Sequence, residues 1–312
     1  WPEAARPSSR QMLACAQFSR YADPRLAGHG ALPQDGLPWL PLSELLQTML
    51  ETGRLQLPWL EPTGFSDLRF AAPLPLPAAV TRECRITARS QSWLLQDGVM
   101  TRMCHVRLQS RDLAPNLRRI NHFSPLARGM VFLAAAAGSL PPLWEGEMTA
   151  TGPELPLEGF YADCGMAEGW HLVEELVPAG NDLWQGRFDG RAQGIAPAGK
   201  SGYCSLLSAV DAILQAACRI MEDTVPGEET AGGRLLWPRG WRLSGIGFIR
   251  FADTELLCGA RMPWRIQLRR GWDDERLQRY DAQVVDADGR VLLTLHQMEF
   301  EKDVRPQEGA GA

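Results

Sequence analysis

Between Ser205 and Met221 the chain reads Ser-Leu-Leu-Ser-Ala-Val-Asp-Ala-Ile-Leu-Gln-Ala-Ala-Cys-Arg-Ile-Met, and few folds can house such a segment. Leu206, Leu207, Val210, Ile213, Leu214, Ala217, Ile220 and Met221 recur at helical spacing. The opposite face carries Ala209, Ala212 and Ala216, and charge returns only at Arg219, Glu222 and Asp223. A helix that is apolar or small nearly all round must be enclosed by other elements. Inside it sits one carboxylate, Asp211, with Gln215 one turn on and on the same shoulder. A carboxyl group in a core holds its proton more tightly than in water, which makes Asp211 a candidate general acid. The competing reading places Asp211 at the edge of the stripe, in reach of solvent.

A second helix is expected behind Pro41, a first-turn proline, where Leu42, Leu45, Leu46, Met49 and Leu50 form an amphipathic stripe that Gly53 would end. Residues 1–22 read as loop. Extended chain is expected over Phe65–Ala71, Glu83–Trp93, Met103–Leu108 and Ile120–Leu133. From Gly138 to Gly159 the prolines at 141, 142, 153 and 156 mark a joint. Beyond it Trp170–Val177 and Asp182–Phe188 read as strands, and Gly190 to Gly202 as a loop into the buried helix. Arg234–Phe251, Arg261–Arg269, Tyr280–Val285 and Val291–Phe300 read as strands after it, the last two joined through Ala287-Asp288-Gly289, a hairpin signal. The chain thus divides into a first half, 1–137, a linker, 138–159, a second half, 160–302, and a tail, 303–312. Helix then strands, twice over, is α+β and not the βαβ alternation of a parallel sheet. A sheet wrapped around one helix would bury it from most sides.

Several chemistries find little support. Gly194 to Ser201 fits the phosphate-binding string Gly-x-x-x-x-Gly-Lys-Ser, but Gly186 to Gln193 is too polar for the buried strand that such a loop follows. There is no Gly-x-Ser-x-Gly elbow. The cysteines at 15, 84, 104, 164, 204, 218 and 258 are scattered, without a Cys-x-x-Cys pair, so neither a zinc site nor a disulfide framework is expected and a reducing cytoplasm fits best. A net charge of -5 argues against nucleic acid as partner. No apolar run reaches membrane-spanning length. The start, Trp1-Pro2-Glu3, is neither a signal peptide nor an initiator methionine, and points to a domain excised from a larger polypeptide.

Of the five histidines, His105, His122 and His296 fall within expected strands and read as structural; the role of His171, after Trp170, is open. His29 lies in a Gly/Pro loop ahead of the first helix, where core packing does not explain it. Loop histidines are most often solvated. Set beside Asp211 from the equivalent helix of the other half, His29 suggests an acid–base couple across a pseudo-twofold interface.

These residues resemble the dehydratase domains of polyketide synthases and polyunsaturated fatty-acid synthases, which are double-hotdog folds. That family's second-half motif, Asp-Ala-x-x-Gln, is matched by Asp211-Ala212-Ile213-Leu214-Gln215. Its first-half motif, a histidine, three residues, a glycine, four residues and a proline after Asp-Pro-x-Leu-x-x, is matched by Asp23-Pro24-Arg25-Leu26-Ala27-Gly28-His29, Gly36 and Pro41, with six residues between His29 and Gly36 instead of three. The family's Tyr-Gly-Pro-x-Phe element falls on Glu168-Gly169-Trp170-His171-Leu172 and keeps only the glycine.

The resemblance implies an α+β double hotdog, with two antiparallel sheets each wrapped around one long helix. It implies elimination of water from a 3-hydroxyacyl thioester on an acyl carrier protein to give a 2-enoyl thioester. His29 would be the base and Asp211 the acid, with Gln215 orienting the leaving hydroxyl. Backbone N–H groups near Gly36 and at the start of the Pro41 helix would polarise the thioester carbonyl. No metal or redox cofactor is expected, only the carrier's phosphopantetheine arm. Neighbouring synthase domains and a second copy of the chain are the expected partners. A product-template-type cyclase or an isomerase on the same fold is an alternative, and so is a catalytically silent carrier-binding or scaffolding domain.

Overall fold

The computed structural model describes residues 11–20, 23, 26, 28–29, 38–71, 74–96, 98–136, 140, 142–144, 150–188, 202–224, 241–252, 257, 260 and 262–302. The first half contains β1 (Gln11–Phe18), α1 (Leu42–Gln56), β2 (Glu61–Phe70), β3 (Thr81–Gln96), β4 (Val99–Leu113) and β5 (Ser124–Ala134). After α2 (Glu158–Asp163) the second half contains β6 (Glu175–Gly180), β7 (Leu183–Phe188), α3 (Gly202–Thr224), β8 (Trp241–Phe251), β9 (Trp264–Asp273), β10 (Leu277–Val285) and β11 (Val291–Lys302). Among the described residues these strands form one 11-stranded sheet in the order β1-β3-β4-β5-β2-β8-β11-β10-β9-β7-β6. All neighbouring pairs are antiparallel. The sheets of the two halves are joined edge to edge by β2 and β8, where Phe65 lies opposite Ile249. The architecture is the expected hotdog, with its two sheets continuous across the seam.

Each half wraps its sheet around a helix. α1 packs against β1 to β5, α3 against β7, β9 and β10, and the two helices touch. α3 is buried on both faces: Leu206, Leu207, Val210, Ile213, Leu214, Ile220 and Met221 are inaccessible, and so are Ala209, Ala212 and Ala216 behind them. Seven large apolar side chains, each worth roughly 1.5–3 kcal/mol when fully buried, outweigh the several kcal/mol that enclosing one carboxyl group costs. The alanines let the rest of the molecule close on the back of α3.

Four local expectations are corrected. Residues 11–18 are not loop: they form β1, whose alternating exposure puts Met12, Ala14, Ala16 and Phe18 on the core while it pairs with β3. Gly53 does not end α1, which continues to Gln56. A Cβ at Gly53 would stand 3.2 Å from Val131 Cγ1, so this glycine serves close helix–sheet packing. Trp170 does not start a strand: Glu168–Trp170 is a 3-10 turn and β6 begins at Glu175. His122 precedes β5 and is exposed. The closing hairpin forms as expected, with Gly289 at φ +84. The Asp286 carboxylate accepts the N–H groups of Asp288 and Arg290 inside that turn. The phosphate-binding string, Gly194 to Ser201, lies outside the described residues.

Candidate active site

α3 carries Asp211 to the place where α1 begins. Pro41 precedes α1 and has no N–H of its own, and the next two residues offer their donors to the carboxylate across the molecule. Leu42 N–H donates to Asp211 Oδ1 at 3.0 Å, Ser43 N–H to Oδ2 at 3.2 Å, and the Ser43 hydroxyl makes a short hydrogen bond to Oδ2. The first turn of a helix has N–H groups without intrahelical partners and a partial positive charge. Asp211 satisfies two of them from a different helix. The carboxyl group is fully buried, and burial pushes its pKa up to about 7 against the downward pull of the Ser43 and Leu42 hydrogen bonds. It therefore holds its proton far more tightly than an exposed aspartic acid does.

His29 is buried too, not solvated. Its ring lies 4.8 Å from that of Trp39 and 4.4 Å from that of Trp170, edge-on to the latter. Nδ1 is 3.2 Å from the Trp39 carbonyl oxygen, which can only accept, so Nδ1 carries the proton and Nε2 presents a lone pair. Burial lowers the imidazole to about 3, partly offset by the Trp39 hydrogen bond, and keeps it neutral. The acceptor is fixed by a short bridge. Leu40 N–H donates to Leu74 O and Leu76 N–H to Pro38 O, with Trp39 paired to Pro75.

The two groups are thus attached to one short segment, His29 at Trp39 and Asp211 at Leu42 and Ser43. Three residues of extended chain span at most about 10 Å. Histidine and acid, from opposite halves, thus share the Trp39–Ser43 segment, which forms a seam between the halves.

Gln215, one turn beyond Asp211 on α3, is held by three partners from residues 161–172. Its Oε1 accepts Leu172 N–H at 3.2 Å and lies 3.1 Å from the Tyr161 hydroxyl, while Nε2 donates to Trp170 O at 2.9 Å. The Tyr161 hydroxyl in turn accepts Val173 N–H and lies 2.9 Å from Val173 O. Gln215 and Tyr161 together pin residues 170–173, and with them the Trp170 ring that flanks His29. Gly28 completes this wall. Its carbonyl accepts Ala167 N–H, and a Cβ there would meet the Ala167 methyl at 2.5 Å, so only glycine lets the His29 loop lie against the second half. His171 stacks flat on Tyr161 at 4.2 Å and contacts the Met166 carbonyl at 3.0 Å, which gives it a structural place.

Of the residues singled out by the sequence, His29, Asp211, Gln215 and Pro41 gather around this seam, and Gly36 lies outside the described residues. Ser43, Trp39 and Tyr161 were not singled out, and Gly28 and Trp170 were named only as members of longer motifs. Pro41 carried the one available signal: the residues after a first-turn proline hold donors that need a partner.

No protein-family model matches the chain, and no curated protein matches it. Solved structures do match over almost its whole length. A variant of the GphF dehydratase is 15% identical with a TM-score of 0.64, covering 95% of each chain. A trans-AT polyketide synthase dehydratase domain from Brevibacillus brevis is 12% identical with a TM-score of 0.67, covering 95% of this chain and 94% of that one. A bifunctional dehydratase-cyclase domain in ambruticin biosynthesis is 16% identical with a TM-score of 0.62, covering 94% and 91%. At these identities the likeness establishes the fold, the double hotdog of polyketide synthase dehydratase domains.

Proposed function

We propose that the chain is a dehydratase that removes water from a 3-hydroxyacyl thioester. The observation that carries this reading is the attachment of a neutral imidazole and a proton-retaining carboxyl group, one from each half, to the single segment Trp39–Ser43. The fold shared with polyketide synthase dehydratases supports it.

In the reaction, His29 Nε2 removes the proton from the carbon next to the thioester carbonyl. The C–O bond at the 3-position breaks, the hydroxyl takes the proton of Asp211 and leaves as water, and a 2,3 double bond forms. Among the described residues Oδ1 of Asp211 accepts one hydrogen bond and Oδ2 two, so the proton to be transferred resides on Oδ1. As it leaves, the amides of Leu42 and Ser43 and the positive end of α1 stabilise the new carboxylate without reorganising. Because these donors serve Asp211, polarisation of the thioester carbonyl falls to other groups, with the Gly36 loop the remaining candidate. Gln215, Tyr161 and Trp170 act by holding the wall beside His29. The substrate is carried by an acyl carrier protein on its phosphopantetheine arm, within a synthase whose domains work in the cytoplasm as a homodimer.

The test is mass spectrometry of a 3-hydroxyacyl carrier substrate. Loss of one water is expected, with roughly 10²-fold or greater loss of rate in His29→Ala and Asp211→Asn, as for removal of a general base or acid. Unchanged turnover in His29→Ala would sink the reading. The ambruticin neighbour combines dehydration with cyclisation, which motivates a second reading in which the enoyl product is cyclised. A product that has lost water but no longer adds a thiol at the double bond would favour it.

A further inference from the structure

The outer face of the first half's sheet carries a second feature, remote from the acid–base seam in chemistry. Residues 1–137 hold 15 arginines against 10 Asp and Glu, whereas 138–312 hold 17 Arg and Lys against 27 Asp and Glu. In a chain that is negative as a whole, positive charge is concentrated in one half. The strand register concentrates it further. Cys84, Ile86, Ala88, Cys104, Val106 and Leu108 point to the core, so their alternates, Arg85, Arg89, His105, Arg107 and Arg111, share the outer face. Arg107 lies directly opposite Arg128, Arg128 directly opposite Arg69, and Arg89 opposite His105.

Like charges set directly opposite across strands are destabilising. Part of the charge is answered: Arg69 by Glu299, Arg111 by Glu83, and Arg85 by the Gln109 side chain. Arg89, Arg107 and Arg128 are exposed and have no ion pair among the described residues. Asp67, beside them, bonds Ser66 instead. His105 reports the resulting field: it is held below its ordinary pKa by partial burial first, and then by Arg107 and Arg128.

We infer that this face, centred on Arg89, Arg107 and Arg128, docks an acidic helical segment of a partner protein. Positions three and four residues apart on a helix have Cβ atoms about 5–6 Å from one another, comparable to the roughly 4.5–5.5 Å between Cα atoms of opposed positions on neighbouring strands. Guanidinium groups take carboxylates in bidentate fashion. Nucleic acid fits less well. Single strands need open aromatic platforms, whereas the neighbouring Phe123 is already covered by Arg85 at 4.4 Å and Arg111 at 4.3 Å.

The experiment measures fluorescence anisotropy of a labelled Glu/Ala peptide of about 20 residues, long enough to be helical, against the whole chain. Binding that weakens with salt is expected, with a tenfold or larger loss in Arg107→Glu/Arg128→Glu and little change in Arg276→Glu, on the other half. Arg107→Glu alone replaces a cross-strand repulsion by an attraction, so its melting temperature should rise while binding falls, which separates loss of docking from loss of fold. Equal binding by the double variant would overturn the inference. So would tighter capture of a single-stranded oligonucleotide through the same arginines.

Discussion

Asp211 and Ser43 stand 168 residues apart in the chain, yet the Ser43 N–H and hydroxyl both bond the Asp211 carboxylate in the core. The residue proposed as the acid is therefore also the cap of the other half's helix. Its two roles pull on its proton in opposite senses. Burial favours the protonated form, while the capping donors favour the ionised one.

Ser43→Ala separates these roles. Removing the hydroxyl takes away a donor that lowers the Asp211 pKa, so the pKa rises above about 7. The alkaline limb of the activity–pH profile should move upward, with the maximal rate changed less than in Asp211→Asn. A limb that moves downward or stays in place would show that Ser43 does not act on the reacting acid.

Stability should carry the same signature. Asp211 is held at about 7 in the fold, against an ordinary value of 3.8. Between those two values the folded chain keeps a proton that the unfolded chain releases. Stability accordingly falls as pH rises from 3.8 to about 7, then levels off. At about 1.4 kcal/mol per unit, the loss is on the order of a few kcal/mol. Denaturant midpoints at about pH 5 and about pH 8 should differ in the native chain and lose much of that difference in Asp211→Asn, which has no proton to release.

Tyr161→Phe removes one hydroxyl that serves three groups: Val173 N–H, Val173 O and Gln215 Oε1. Leaving buried polar atoms without a partner costs about 1–3 kcal/mol, to be read from the denaturant midpoint. Because Gln215 holds Trp170 and Trp170 flanks His29, kcat should fall with KM little changed. An unaltered kcat would mean that the wall around His29 does not depend on this tyrosine.

What could be read in advance followed periodicity, and what could not followed from contacts between distant segments. The alanine-backed helix announced its own burial, and one acid within it could be picked out because no other charge lies on the helix before Arg219. β1 was hidden because Met12, Ala14, Ala16 and Phe18 alternate with residues as varied as Leu13 and Cys15, so no polar face marks the pattern. Gly53 read as a stop because a close approach to Val131 leaves no trace in local sequence. Gln215 sits one turn from Asp211, yet its partners come from residues 161–172, a segment whose spacing to α3 no periodicity encodes. The same holds for Gly28, which answers to Ala167.

The seam between the halves offers the sharpest steric test. Gly64, at φ +154, pairs with Arg250 where β2 meets β8, and a Cβ at that position would lie 2.0 Å from the Ile249 carbonyl oxygen. That oxygen is backbone in the middle of the sheet and cannot turn aside as a side chain would. Gly64→Ala must therefore part the two strands locally or abandon the extended backbone. Either change disturbs the join that lets two hotdog sheets run as one, and the cost should reach about 3 kcal/mol or more, the range of overpacked and strained sites. Gly98→Ala is the matched control. Its φ of +78 is also unfavourable, but nothing lies within 4 Å of the added Cβ. Thermal unfolding of the two variants should rank Gly64→Ala well below Gly98→Ala. Equal losses would mean that backbone conformation, and not the β2–β8 contact, sets the demand for glycine at the seam.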